Sequence, residues 1–218
     1  MKKYPRIYSL STIGIIHHQE NDYIFHPART DFIGDSGSGK RIIADLLQLI
    51  FVGSSAFRSA TIPVKGKREP DGLVLRSPGK SSDYGYVFVN IEINNGQFIT
   101  AGAYLESTSK ATRPFIAQAG LAIEQDNLAP MSKPLYAADF QDDKCIIPLE
   151  DIIEYMEDKE LIFKDWQRIS YFHKVLYKNR ILPLDLTDKD KTLKDYAKII
   201  QSFSRGKELD TTRSSSLL

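Results

Sequence analysis

Cysteine is almost missing from this chain of 218 residues, and Cys145 is its single example. One cysteine cannot form a disulfide within the chain, which favours a reducing compartment such as the cytoplasm. Long hydrophobic runs are also missing, since no stretch approaches the roughly 18 apolar residues that a membrane-spanning helix needs. The apolar segment after Lys2 and Lys3 contains hydroxyl residues and no small-residue cleavage site, so it predicts a strand and no signal peptide.

An excess of charge of either sign is lacking too, because 29 basic and 28 acidic residues leave a net charge of +1. The whole chain therefore has no general attraction to nucleic acid or to a membrane surface, and such binding would need a local patch. With 42% hydrophobic and 26% charged residues, the composition is that of a folded globular protein. The length suits one sizeable domain, or one and a half of average size.

The most informative stretch is a glycine-rich segment that reads G-x-x-x-x-G-K and precedes an apolar run. Its candidate binding residues are Gly34, Asp35, Ser36, Gly37, Ser38, Gly39, Lys40 and Arg41. In this motif backbone N–H groups cradle phosphates, the lysine reaches the outer phosphates, and a following Ser or Thr hydroxyl binds Mg²⁺. Arg41 stands at the hydroxyl position, so the magnesium ligand is missing.

The elements predicted around this loop favour phosphate binding. Residues 6–16 and 23–25 predict a hairpin whose loop is the polar segment 17–22. A short buried strand over 30–33 then leads into the loop, and a helix over 39–52 follows and ends near Gly53. A helix N-terminus after a strand and a glycine loop provides aligned N–H groups and a positive dipole end.

The rest of the chain predicts a second hairpin and then helices. Two strands over 84–93 and 97–105 flank the turn Asn94-Asn95-Gly96, and after a polar loop over 106–113, residues 115–123 predict another strand or an irregular apolar segment. From Pro148 the apolar spacing becomes helical, with segments at 149–161, 166–180 and 193–203. We therefore divide the chain into a lobe of mixed sheet and helix, residues 1–147, and a helical part, residues 148–218.

A turn-rich, basic segment lies at 54–82, and we interpret it as a solvated loop, with a nucleic-acid-facing or partner-facing loop as the alternative. Its basic residues are Arg58, Lys65, Lys67, Arg68, Arg76 and Lys80. No metal site is expected, because His17, His18 and His26 flank a predicted loop without the spacing of metal ligands. They are predicted to be exposed, and His173 to be a packed or surface residue of a helix. Asp142-Asp143 and Glu150-Asp151 are expected in a turn and at a helix start.

The order of hairpin, glycine loop, apolar helix, second hairpin and helices resembles the N-terminal half of an SMC-type ABC ATPase head. Residues 148–152, the helix around 166–177, and residues 196–202 with 211–218 are similar to the MukB/JetC-type condensin branch. In that branch this region ends where the first coiled-coil arm leaves the head. The fold class implied is α/β, a P-loop ABC/SMC-type ATPase head lobe with antiparallel β-hairpins and a helical C-terminal part.

The resemblance also implies a function, a ligand and partners. Lys40 would bind the β- and γ-phosphates of ATP, Gly34, Gly37, Gly39 and Ser38 would shape the cradle, and Gln141 or Gln201 would sense the γ-phosphate. The signature motif, the Walker B acidic pair and the adenine contacts belong to a C-terminal half beyond a coiled coil, and this chain lacks them. That half and a second head would be partners, and the full complex would act on DNA in chromosome maintenance or in defence against plasmids or phage.

Arg41 limits the activity that we expect. An arginine can pair with phosphate, so anion binding can survive at this loop. Phosphoryl transfer that depends on magnesium should not, because the metal neutralises charge between the β- and γ-oxygens. The chain is therefore expected to bind ATP without efficient hydrolysis, and Mg²⁺ is a doubtful cofactor.

Two other functions stay open. Residues 35–40 also resemble small-molecule kinases such as the uridine kinase group, although about 30 residues precede the loop and no apolar run ends in an aspartate that would hold Mg²⁺. Phosphorylation of a nucleoside by the purified chain would favour that alternative. The third possibility is a non-catalytic interaction protein with a degenerate loop, which binds a partner through segment 54–82 or the C-terminal helices.

Overall fold

The computed structural model describes residues 4–59, 69–79, 83–120, 127–187 and 190–205 of the chain. In it, six strands rich in β-branched and aromatic residues form one antiparallel sheet. Its strands are β1 (Arg6–Ile15), β2 (His18–Ile24), β3 (Tyr84–Asn94), β4 (Gln97–Glu106), β5 (Ser109–Ala119) and, named β8 in chain order, Leu161–Asp165. A separate ribbon pairs β6 (Gln141–Asp142) with β7 (Cys145–Ile146). The helices are α1 (Lys40–Ala56), α2 (Ile152–Glu157), α3 (Ile169–Lys178) and α4 (Asp190–Arg205). Short 3₁₀ turns cover Pro70–Leu73 and Ala137–Phe140. The fold is mixed α/β.

The strand order is β2-β1-β3-β4-β5-β8, so β2 and β8 are the edge strands. The predicted second hairpin is confirmed, because β3 and β4 pair around the turn at Asn95 and Gly96. The first hairpin is confirmed with a different turn. Ile15 pairs with His18, so the turn consists of Ile16 and His17, whose φ is 61°. Residues 18–22, predicted as part of its loop, instead belong to edge strand β2, where one side of the strand faces solvent.

Both faces of the sheet are covered. On one face, apolar residues of α1, α3 and α4 pack against strand residues such as Val87, Val89 and Ile99. On the other face, aromatic strand residues pack against the segment 131–156, and the Phe140 ring stacks on Phe88 with 4.4 Å between centroids. Gly102 allows this packing, because a Cβ atom there would lie 2.5 Å from the Cβ of Phe88.

A buried asparagine ties the segment 131–156 to the sheet. The Asn90 amide nitrogen donates to Ser9 Oγ at 2.8 Å and to the Leu135 carbonyl at 2.6 Å. The Asn90 amide oxygen accepts from Thr100 Oγ1 at 2.6 Å and from the Leu135 N–H at 3.1 Å. All four hydrogen-bonding positions of this side chain are thus satisfied in the core.

The helix after the glycine loop is confirmed, and its end near Gly53 has a specific geometry. Gly53 has φ 72° and ψ 171°, which interrupts α1, and a Cβ atom there would lie 2.9 Å from Ile169 Cγ1. The interruption leaves the Phe51 carbonyl to accept from Nε2 of His173 at 2.8 Å. His173 is therefore packed, being only 1% exposed, and it joins the end of α1 to α3.

The second half of the chain differs from the prediction in three places. Leu161, expected in a helix, begins β8, whose residues pair with β5 and complete the sheet. Residues 109–113, expected in a loop, already belong to β5, and that strand ends at Ala119. Helical spacing failed at Leu161 because an amphipathic pattern does not show whether a neighbouring strand offers hydrogen bonds. Helix α3 lies within its predicted segment 166–180, and α4 covers its predicted segment 193–203 and extends beyond it at both ends.

No helix among the described residues is long and apolar enough to cross a lipid bilayer.

Replacing Asn90 by alanine should lower the free energy of unfolding by about 2–3 kcal/mol, because the buried partners at Ser9, Thr100 and Leu135 lose their hydrogen bonds. Chemical denaturation of Asn90→Ala measures this change. The exposed neighbour Gln97 provides the control, since Gln97→Ala should stay within about 0.5 kcal/mol of the starting protein. Equal effects of the two substitutions would contradict the role assigned to Asn90.

The protein should lose stability as the pH falls below 6.5. Burial lowers the pKa of His173 below its usual value of 6.5, so the unfolded chain takes up this proton at a higher pH than the folded one. The contribution is therefore complete above pH 6.5 and decreases on acidification, by at most about 1.4 kcal/mol per pH unit.

Thermal or chemical denaturation between pH 7.5 and 5.5 tests this linkage. His173→Gln retains an N–H donor for the Phe51 carbonyl and removes the titration, so its stability should depend less steeply on pH. The exposed His17 serves as a control, and His17→Asn should keep the pH dependence of the starting protein. An unchanged slope in His173→Gln would refute the prediction.

Candidate functional site

The glycine-rich segment forms a loop over residues 34–39 that ends at the N-terminus of α1. Gly37 and Gly39 adopt left-handed backbone conformations, with φ of 89° and 85°, which glycine reaches without steric cost. The Gly39 carbonyl accepts the first helical hydrogen bond from the Ile42 N–H at 2.8 Å. The first N–H groups of a helix have no partner within it, so this end can bind an anion.

The Lys40 side chain folds back onto the loop and forms hydrogen bonds with it. Its ammonium group donates to the Gly34 carbonyl, to the Asp35 carbonyl at 2.6 Å and to Ser38 Oγ at 3.3 Å. A Cβ atom at Gly34 would lie 2.9 Å from Ser38 Oγ, so a side chain there would require the Ser38 hydroxyl to move. A phosphate bound in the loop would compete with these carbonyl groups for the lysine. The structure thus brings Gly34, Asp35, Ser38 and Lys40 into contact with one another.

The strand expected before the loop is absent from the described residues. Residues 30–33 form no strand and are exposed, and Ile33 is 94% exposed. The Phe32 ring instead lies edge-on to Tyr23 and Phe25 of the first hairpin region, with centroids 5.6 and 6.0 Å apart. A strand needs a neighbour for its backbone hydrogen bonds, and this segment has none in the sheet, whose edge is β2. The prediction of a short buried strand is therefore wrong.

His18 is the site residue that sequence reasoning missed. It was predicted to be exposed, but it is 4% exposed, with Nε2 3.1 Å from the Gly39 carbonyl and Nδ1 2.6 Å from the Tyr23 hydroxyl. His17 and His26 are exposed, as predicted. Burial of His18 follows from the tight turn at His17, which places the next residue in β2 beside the glycine loop. The extended pattern resumes only at Tyr23 in the sequence, so no local signal showed this.

The residues around the loop do not fit a magnesium ion. Arg41 is exposed and carries a guanidinium group in place of the hydroxyl ligand, and Ser38 Oγ already accepts a hydrogen bond from Lys40. In the part of the chain that the structure describes, no group of three or more His, Cys, Asp or Glu side chains could hold a metal ion. The donors present at the loop suit an anion better than a cation.

The other candidate residues lie away from the loop or outside the described part of the chain. Gln141 belongs to the β6–β7 ribbon, next to residues that cover the sheet face opposite α1. For Gln201 only the backbone is described, within α4. Arg58 and Arg76 donate to the Phe57 and Ser107 carbonyls. The remaining basic residues of segment 54–82 lie outside the described residues: Lys65, Lys67, Arg68 and Lys80. The exposed Cys145 is in β7.

Comparison with known proteins adds no family assignment. No protein-family model matches the chain, and no curated protein matches it significantly. The functional conclusions below therefore depend on the sequence motif and on the geometry of the glycine loop.

Replacing Gly39 by alanine should destabilise the protein more than the same change at Gly37. Both residues have left-handed φ angles, which cost an alanine about 1–2 kcal/mol. At Gly39 the new Cβ would also lie 2.7 Å from His18 Nε2 and 2.9 Å from His17 Cβ, whereas at Gly37 nothing lies within 4 Å. We expect an additional loss of about 1 kcal/mol or more in Gly39→Ala, measured by chemical denaturation. Equal losses would show that the contact with His18 is not close.

Proposed function

We propose that the chain binds the phosphates of ATP in the glycine loop, as the N-terminal half of an SMC-like ATPase head. The observation that carries the proposal is Lys40, whose ammonium lies inside a glycine loop at the N-terminus of a 17-residue helix. A cation and free helical N–H groups at one point are the combination that binds phosphate. The loop residues in this role are Gly34, Asp35, Ser36, Gly37, Ser38, Gly39, Lys40 and Arg41.

The order of elements supports this choice of family. An antiparallel hairpin precedes the loop, and a second antiparallel hairpin follows the helix, in the order that the resemblance implies. The exposed Ile33 and the partly exposed Phe32 lie on the segment that enters the loop, and a second polypeptide half would find an apolar surface there. The proposed partners are this C-terminal half and a second head, with DNA bound by the full complex in chromosome maintenance or in defence, in the cytoplasm.

Hydrolysis is not part of the proposal for this chain alone. Arg41 removes a magnesium ligand at the loop, and the Walker B and signature residues of the family belong to the other half. We therefore propose ATP as the ligand, with Arg41 available as a second cation for the phosphates.

The stand-alone kinase is the weaker candidate because about 30 residues precede the loop and no apolar run ends in an aspartate that would hold Mg²⁺. The antiparallel sheet does not separate the two candidates, because it is unusual for either of them. Glycine loops of nucleotide-binding α/β enzymes follow strands of a parallel sheet, where crossover helices cover both faces. All five strand pairs of the main sheet described here are antiparallel, and the residues before the loop form no strand. A non-catalytic interaction protein with a degenerate loop remains the second candidate, since it requires none of the catalytic groups.

Titration with a fluorescent ATP analogue, with and without Mg²⁺, tests the proposal. We expect binding by the starting protein that depends little on Mg²⁺, and a loss of at least about tenfold in affinity in Lys40→Met, which removes the charge but keeps the chain length. Arg41→Ser should introduce a dependence on Mg²⁺, because it restores the hydroxyl ligand.

The outcomes separate the candidate functions. Binding only after Arg41→Ser would identify an ATP site damaged by the arginine. No binding by either protein would overturn the proposal and favour the interaction protein, while phosphorylation of a nucleoside would favour the kinase.

A further inference from the structure

The edge strand β2 holds the glycine loop at both of its ends. At the helical end, His18 contacts the Gly39 carbonyl through Nε2. At the entering end, Phe32 packs edge-on against Tyr23 of β2 and against Phe25 immediately after that strand. Tyr23 belongs to both attachments, because its hydroxyl also lies 2.6 Å from His18 Nδ1. The segment that contains the loop is therefore attached to β2 and its immediate neighbour at two places, one on each side of the loop.

The partners of the His18 ring determine which nitrogen carries hydrogen in the neutral form. The Gly39 carbonyl can only accept, so Nε2 must carry the hydrogen and donate it. Nδ1 is then an acceptor, and the Tyr23 hydroxyl donates to it. Burial raises the pKa of the Tyr23 phenol, which keeps this donor protonated.

The contact with His18 also acts on the conformation of the loop. Gly39 has φ 85°, and its α-carbon approaches the hairpin so closely that a Cβ atom would lie 2.7 Å from His18 Nε2. Its carbonyl accepts from both the Ile42 N–H, at 2.8 Å, and His18, at 3.1 Å. Two donors on one carbonyl fix the peptide plane between Gly39 and Lys40. That plane directs the first N–H of α1 and the start of the Lys40 side chain.

We propose that His18, oriented by Tyr23, is a positioning residue that sets the glycine loop and Lys40 for phosphate binding. The part of this inference that concerns phosphate depends on the function proposed above. The part that concerns the conformation of the loop does not. His18 does not touch the phosphates in this role. It acts through the Gly39 carbonyl.

Amide hydrogen exchange of the full chain tests the effect on the loop without any nucleotide. In His18→Ala, the amides of Ser38 and Ile42, which donate to carbonyl groups of the loop, should exchange about tenfold faster, the factor that one hydrogen bond supplies. His18→Gln offers a side-chain N–H to Gly39 and should restore most of the protection. Tyr23→Phe keeps the ring against Phe32 and removes the hydroxyl, so we expect an intermediate rate. The matched control is Gln19→Ala, at the exposed neighbour in β2.

Two further measurements distinguish positioning from a general contribution to stability. The nitrogen spectrum of the His18 ring should show hydrogen on Nε2 at neutral pH, and a ring with hydrogen on Nδ1 alone would overturn the inference. Unchanged exchange of the Ser38 and Ile42 amides in His18→Ala would overturn it as well. So would an equal increase throughout β1 and β2 with a lower melting temperature, because that result indicates a structural role only.

Binding of the fluorescent ATP analogue completes the test. If the starting protein binds it, His18→Ala should bind about tenfold more weakly and His18→Gln should recover most of the affinity. Unchanged affinity in His18→Ala would overturn the inference, while the proposed function would stand. If the starting protein binds no analogue, the proposed function fails, and faster exchange in the loop alone would still support the positioning role.

Discussion

Coverage of both faces of the antiparallel sheet is the constraint on which the rest of the structure depends. Strands β3 and β4 bury side chains on both sides, so neither face can be left to solvent without exposing a large apolar surface. Helices α1, α3 and α4 cover one face, and the segment 131–156 covers the other. Because that segment has little regular structure, its attachment depends on side chains such as Asn90 that satisfy its backbone groups.

The same constraint decides where the glycine loop lies. Helix α1 must place its apolar residues on the sheet, and its N-terminus then meets the turn between β1 and β2. The loop is consequently supported by an edge strand, with His18 and Tyr23 at one end and Phe32 at the other. This arrangement differs from a loop that emerges from a strand inside a parallel sheet, where the strand itself provides the support.

The chemistry of the site follows from this placement. Lys40 donates to the Gly34 and Asp35 carbonyls and to Ser38 Oγ, none of which carries a negative charge, so its own charge is available to an anion. Arg41 lies next to it, exposed, and adds a second positive charge where a magnesium ligand would be needed. These two residues are the basis of the proposed nucleotide-binding half-site without its own metal chemistry.

The sequence by itself determined the features that depend on local geometry. Asn95-Gly96 specified the second hairpin, and helical spacing after Lys40 specified α1, although the helix that was expected to end near Gly53 is interrupted there and continues to Ala56. The glycine-rich segment followed by Lys40 and an apolar run likewise predicted the candidate loop. Tertiary structure alone decided that His18 is buried against Gly39, that residues 30–33 lack a strand neighbour, and that Leu161 begins a strand. These three features depend on which distant backbone group offers a hydrogen bond. The neighbours of a residue in the sequence do not specify that group.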